Sequence, residues 1–204
     1  MTLFDDLLAE TDHINQQRQF DKETGHLPGT YGEALPYYRT LLQNHHAAML
    51  NADVETAMAL RQDAYLLARK LNKGDVGILA HDDAPGYVLA RETKAKDGEA
   101  PLWGQQARFE IKASGILIRI ETDGIFGVGA SHQLWPGFSA HCTDTSAAFI
   151  TETGYRSFLG LQAEPCAGLT PDTFAQQVIA TYIREELKGQ LVAISPHYRT
   201  GEAA

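Results

Sequence analysis

The sequence predicts an α+β fold, with an N-terminal helical hairpin and a mainly antiparallel β-sheet covered by a C-terminal helix. Three observations carry this. Residues 32–74 hold two segments of helical apolar periodicity joined by a very short link. The run "ARFEIKASGILIRIE" alternates with period two about a central Ser-Gly. Thr170-Pro171 then opens a broad apolar arc that Gly189 closes. The expected organisation is a single domain over 1–204, with a helix and loop arm at 1–31, the hairpin at 32–74 and the sheet with its helix at 104–194.

In the arm, "MTLFDDLLAETDHINQQRQF" sets Leu3, Leu7, Leu8 and Ile14 at roughly helical spacing. The following "DKETGHLPGTYG" is read as a loop or tether, so the arm is expected to pack loosely or onto a partner. In the hairpin, Leu35, Tyr38, Leu42 and Met49 align on one face of the first helix. The second begins at an Asp53 cap and ends at Gly74 after Arg69, Lys70 and Lys73. His46 falls near the middle of the first helix's apolar stripe. Its neighbour His45 points about 100° away, so the two are read as core or boundary residues and not as metal ligands. Between 72 and 104, "HDDAPG" and "KAKDGEAP" bracket a short helix, "GYVLARETK". His81, Asp82 and Asp83 read as a solvated turn.

The hairpin at 106–123 fixes its own register. With Ser114 and Gly115 as the turn, Phe109 faces Ile120, Ile111 faces Ile118 and Ala113 faces Ile116. On the other side Glu110 meets Arg119 and Arg108 meets Glu121. Asp123-Gly124 is a second hairpin signal, predicted to fold 125–130 back as a third strand. Gly127 and Gly129 would then lie on the core face opposite Ile120 and Ile118, leaving room for a closely packed helix or a ligand cavity. This G-x-x-G-x-G spacing is not a dinucleotide fingerprint, because "ASHQLWPGFSAHC" after it contains Pro136 and Gly137 and opens no helix.

Candidate chemistry lies downstream. His132, His141 and Cys142, with Cys166 or His197, are metal-ligand types. Neighbours on a strand point to opposite faces, however, and no C-x-x-C or H-x-x-x-H pair exists, so no metal is expected. Cys142 as nucleophile with His132 as base would need an orienting group that the sequence does not identify. In "TETGYRSFLGLQAEP", the residues Tyr155, Ser157, Leu159, Leu161 and Ala163 alternate as the buried face of a strand. Arg156 points the other way, where a guanidinium beside Trp135, Tyr155 and Phe158 suits a carboxylate or phosphate. The ligand-binding candidates are thus His132, Trp135, His141, Cys142, Tyr155 and Arg156. The C-terminal helix turns Phe174, Val178, Ile179, Tyr182, Ile183 and Leu187 toward the sheet. A short strand "LVAI" and a polar tail follow.

A formal charge of -9, from 17 basic and 26 acidic residues, argues against nucleic acid as the main partner, and the scattered acids do not imitate DNA. The acidic N-terminus does not resemble a signal peptide, so none is expected, and no stretch has the length of a membrane span. Cys142 and Cys166 are read as free thiols in a reducing cytoplasm. No cofactor is implied. At "LWPGFSAHC" and "TETGYRSFLG" the chain resembles uncharacterised hypothetical proteins of proteobacterial genomes and their mobile elements, over Trp103 to Leu187. That resemblance implies a bacterial cytoplasmic setting and no activity. The expected function is that of a non-enzymatic binding or accessory protein engaging a protein partner, or a second copy of itself. The alternative is a small-molecule-binding protein or enzyme with a pocket at the glycine-lined sheet. Convergence of the six candidates in one pocket would favour the second. A large exposed apolar surface would favour the first.

Overall fold

A computed structural model describes residues 3–199, with side chains from 10 onward apart from that of 13. The order is α1 (Leu3–Glu23), α2 (Tyr31–Leu50), α3 (Val54–Leu71), α4 (Pro85–Glu92), β1 (Gln106–Ala113), β2 (Ile116–Asp123), β3 (Phe138–Cys142), β4 (Ala148–Phe149), β5 (Tyr155–Phe158), α5 (Pro171–Glu185), β6 (Val192–Ala193) and α6 (Pro196–Arg199), with one 3₁₀ turn at Gly124–Phe126. The fold is mixed α+β. No described helix is long and apolar enough to cross a membrane.

The predicted helical hairpin is α2 and α3, and the Asp53 carboxylate caps α3 by accepting from the Thr56 N–H at 3.1 Å. The stripe on α2 is shifted from the expected phase: it runs through Tyr38, Leu41, Leu42, His45, Ala48 and Met49, while Leu35 and His46 are only partly buried. The segment after α1 is not a loose tether. Phe20 and Leu27 are buried, and the Lys70 ammonium donates to the carbonyls of Thr24 at 2.8 Å and Leu27 at 2.6 Å. The basic last turn of α3 thus satisfies carbonyls freed where α1 ends. The Arg69 guanidinium, 4.6 Å from the Phe20 ring centre, adds a cation–π contact. The face predicted from Leu3, Leu7 and Leu8 lies outside the described side chains.

The main sheet has the order β1-β2-β3-β5, all antiparallel. β1 and β2 pair in the predicted register, Phe109 opposite Ile120 and Glu110 opposite Arg119. Ser114 at φ 47° and Gly115 at φ 87° make the turn.

Two strand predictions fail. Residues 125–130 are not the third strand. The chain leaves the sheet at Gly124, and β3 takes the place instead, setting Ala140 opposite Ile120 and Cys142 opposite Ile118. Among the described residues there is therefore no glycine-lined sheet face. The reason is local: Gly124 sits at φ 72° so close to the preceding loop that a Cβ would come 2.5 Å from the Gly104 carbonyl oxygen. The Ile125 N–H donates to that same oxygen at 2.9 Å, and the Ile125 side chain is buried among the helices. The second failure is the face of β5. Arg156 and Phe158 share the core side with Ala140 and Phe138, while Tyr155 and Ser157 face outward. Phe158 stacks on Phe138 at 5.0 Å and wins the buried side.

α5 crosses the core face of this sheet and buries Phe174, Ala175, Ile179 and Ile183. The "LVAI" segment pairs elsewhere, as β6 with β4 in a separate two-stranded sheet.

Candidate functional site

The site is built outward from one buried cation. Arg61 lies on the buried stripe of α3, only 4% exposed. Its Nε donates to His45 Nε2 at 2.9 Å, Nη1 to the carbonyls of Ala130 at 3.0 Å and Gln133 at 2.6 Å, and Nη2 to Leu134 at 2.7 Å. The glycine-rich segment is thus a loop wound around a guanidinium, which satisfies carbonyls that burial would otherwise orphan. Because His45 Nε2 accepts, its proton sits on Nδ1 and is donated to the Trp103 carbonyl at 2.9 Å. His46 Nδ1 accepts from the Trp103 N–H at 3.0 Å. The adjacent histidines hold opposite ends of one residue's backbone. Burial, reinforced by Arg61, lowers the pKa of His45 to about 4, and burial alone brings Arg61 down to about 10.

This frame positions two tryptophans. Trp135 stacks on Phe174 at 4.8 Å, and Trp103 meets both, at 5.5 Å from Trp135 and 5.4 Å from Phe174. Each indole N–H then reaches out to the chain between β5 and α5. Trp135 Nε1 donates to the Ala163 carbonyl at 2.9 Å, and Trp103 Nε1 to that of Leu169 at 2.6 Å. The Gly168 N–H adds a 2.7 Å bond to the Leu50 carbonyl. Residues 161–166 have no helix or strand of their own, so these tethers determine where that segment runs.

Between the tethered segment and α5 lies a groove of about 540 Å³. Trp135, Phe158, Leu161, Leu169, Val178 and Tyr182 give it an apolar lining. Glu164, Glu185 and Glu186 line it too, and among the described residues no lysine or arginine does. Arg156 stands behind one wall, its guanidinium 4.0 Å from the Tyr182 ring centre and 5.4 Å from that of Phe158. Its Nε is buried and has no hydrogen-bond partner among the described residues. The arrangement can receive an elongated apolar group and offers carboxylates to a cation at the groove's edge.

The six predicted site residues do not converge. Trp135 lines the groove, and Arg156 stands behind its Tyr182 and Phe158 wall. His141 and Tyr155 pack edge to face at 5.0 Å on the open side of the sheet. There His141 Nε2 lies 3.1 Å from Ser139 Oγ and 3.6 Å from the Glu121 carboxylate, which also meets Arg108 at 2.9 Å and Arg119 at 3.6 Å. Burial lowers the His141 pKa, with Glu121 opposing. Cys142 turns to the core side beneath Gly154, where burial pushes its thiol up. Cys166 is exposed, and both thiols are free. His132 lies in a cleft against α3, bonded through Nδ1 to Ser131 Oγ at 2.9 Å, and it also edges a hollow shared with Trp135 and Glu164. Among the described residues no three His, Cys, Asp or Glu side chains gather as a metal ion requires.

Arg61, Trp103 and Tyr182 are the site-building residues that sequence reading passed over. Arg61 did leave a signal: it is a charged residue in a helical stripe of Ala57, Ala64, Leu67 and Ala68, a position that demands partners.

No protein-family model matches the chain, and no solved structure does. It is similar to two Escherichia coli proteins named KlcB. One is 33% identical over 155 residues, covering 75% of this chain and 36% of that protein. The other is 31% identical over 142 residues, covering 69% and 29%. The chain therefore spans about a third of the length of these relatives, and the likeness agrees with the proteobacterial resemblance seen in the sequence.

Proposed function

We propose that this chain is a protein-binding module of accessory, non-enzymatic type, and that its groove beside α5 takes a basic amphipathic segment of a partner protein. The observation that carries this reading is the pairing of an apolar lining with carboxylates and no basic side chain. Apolar side chains of the partner would bury against Trp135, Leu161 and Val178, and its lysines or arginines would meet Glu164, Glu185 and Glu186. Charge complementarity of this kind speeds encounter and rejects acidic competitors. The chain's charge of -9 acts in the same sense. Tethers from Trp103 and Trp135 hold the groove open in advance, which reduces the ordering cost of binding.

The test is a titration of the intact chain with a synthetic Leu/Lys amphipathic peptide, read by tryptophan fluorescence, beside a Leu/Glu peptide of the same length and pattern. The Leu/Lys peptide should bind, the Leu/Glu peptide should not, and the double variant Glu185→Lys, Glu186→Lys should lose about tenfold or more in affinity. Equal binding of both peptides, or indifference to the charge reversal, contradicts the reading.

A further inference from the structure

The cleft that holds His132 has a different chemistry. It lies between α3 and the 125–132 segment and encloses about 340 Å³, walled by Met58, Tyr65, Leu79 and Phe126. Gln62, Ser131 and His132 supply polar groups, and Arg61 lines it from beneath. Arg61 is the informative member. It is a cation withdrawn from water, yet among the described residues no carboxylate lies within ion-pair distance of it. Every strong acceptor it has is neutral: three carbonyls and an imidazole nitrogen. The guanidinium has no N–H to spare for a ligand beyond its weak sulfur contacts, at 3.8 Å to Met58 and 3.7 Å to Met49. It therefore contributes field and not a bond. A positive charge in a low-dielectric wall attracts an anion in the adjacent space far more strongly than a solvated arginine would.

We infer that this cleft binds a small organic carboxylate, its apolar body against Phe126, Leu79 and Tyr65 and its carboxylate at Ser131, His132 and Gln62, under the uncompensated charge of Arg61. The volume suits a one-ring acid, and four apolar walls disfavour a strongly hydrated ion such as phosphate. The inference rests on different observations from the groove beside α5, although His132 also edges a hollow that it shares with Trp135 and Glu164.

The probe is phenylacetate, compared by calorimetry at pH 7.5 with its neutral isostere phenylacetamide and with inorganic phosphate. Phenylacetate should bind, the amide about tenfold or more weaker. Ser131→Ala and His132→Ala should each weaken the acid severalfold without altering thermal stability, and Met58→Trp, which fills the cleft, should abolish binding. Arg61→Met would unsettle the loop itself, so the surface variants carry the test. No phenylacetate binding up to about 10 mM, equal affinity for acid and amide, or insensitivity to Ser131, His132 and Met58 would overturn the assignment. Displacement of phenylacetate by an equal concentration of phosphate would overturn its restriction to carboxylates.

Discussion

At the residue scale the molecule turns on Arg61 and His45. Replacing Arg61 with methionine keeps bulk but removes the donor from one buried carbonyl, from two partly buried ones and from His45 Nε2. Relief of a buried charge offsets part of that loss. Urea unfolding of Arg61→Met is expected to show a loss of about 3 kcal/mol. His45 predicts a pH dependence of definite sign. Its folded pKa of about 4 lies below the ordinary 6.5, so between those values the unfolded chain takes up a proton that the folded chain refuses. Stability from this group should be flat above about pH 6.5, fall as the pH drops, and level off near pH 4, by about 3 kcal/mol in all. His45→Gln should flatten that part of the profile. Stability that rises on acidification from pH 6.5 to 4.5 would contradict the placement of His45. Both roles were only partly legible in the sequence. The stripe on α2 admits either histidine by eye, and only the contact with Trp103 and Arg61 decides that His45 is inside.

At the element scale, legibility followed redundancy. The β1-β2 hairpin was readable because its apolar face and its charged face demanded the same register. The third strand was not. Asp123-Gly124 is a good local hairpin signal, but the tight approach to Gly104 and the burial of Ile125 among helices are tertiary facts that override it. Gly124→Ala, which would set a Cβ 2.5 Å from the Gly104 oxygen at φ 72°, should cost about 3 kcal/mol by thermal or urea unfolding. Gly115→Ala, at a turn with open space around it, should cost about 1 kcal/mol. β5 was read with its faces reversed because Tyr155, Leu159 and Leu161 looked like one alternating apolar row. The strand ends at Phe158, and the last two belong to the tethered segment. That segment tests the tryptophan tethers directly. In Trp135→Phe the ring stack can persist while the bond to Ala163 is lost. Amide exchange over 160–166 should accelerate while that of β1 and β2 stays slow. Unchanged exchange there would show that the indole does not hold the segment.

At the scale of the whole molecule, the helical cluster around Tyr38, Leu42 and Leu67 and the sheet cluster around Ile118, Ile120 and Ile179 are two cores. Arg61, His45 and His46 join them through polar bonds to the backbone of Trp103 and of 130–134. The six residues that composition and spacing singled out are scattered by this architecture over a groove, a cleft, the open sheet face and, for Cys142, the sheet's core side. A sequence reports which chemistry is present and not which surfaces the fold brings it to. The binding account makes one demand of the molecule as a whole, that a basic amphipathic segment finds α5 in preference to every other face. Chemical-shift mapping of the intact chain with the Leu/Lys peptide tests that most directly. Perturbations should concentrate on α5, the 159–169 segment and the Trp135 indole, and fade as salt is raised. Shifts spread evenly over the acidic surface, or centred on the open face around Glu121 and His141, would contradict that preference.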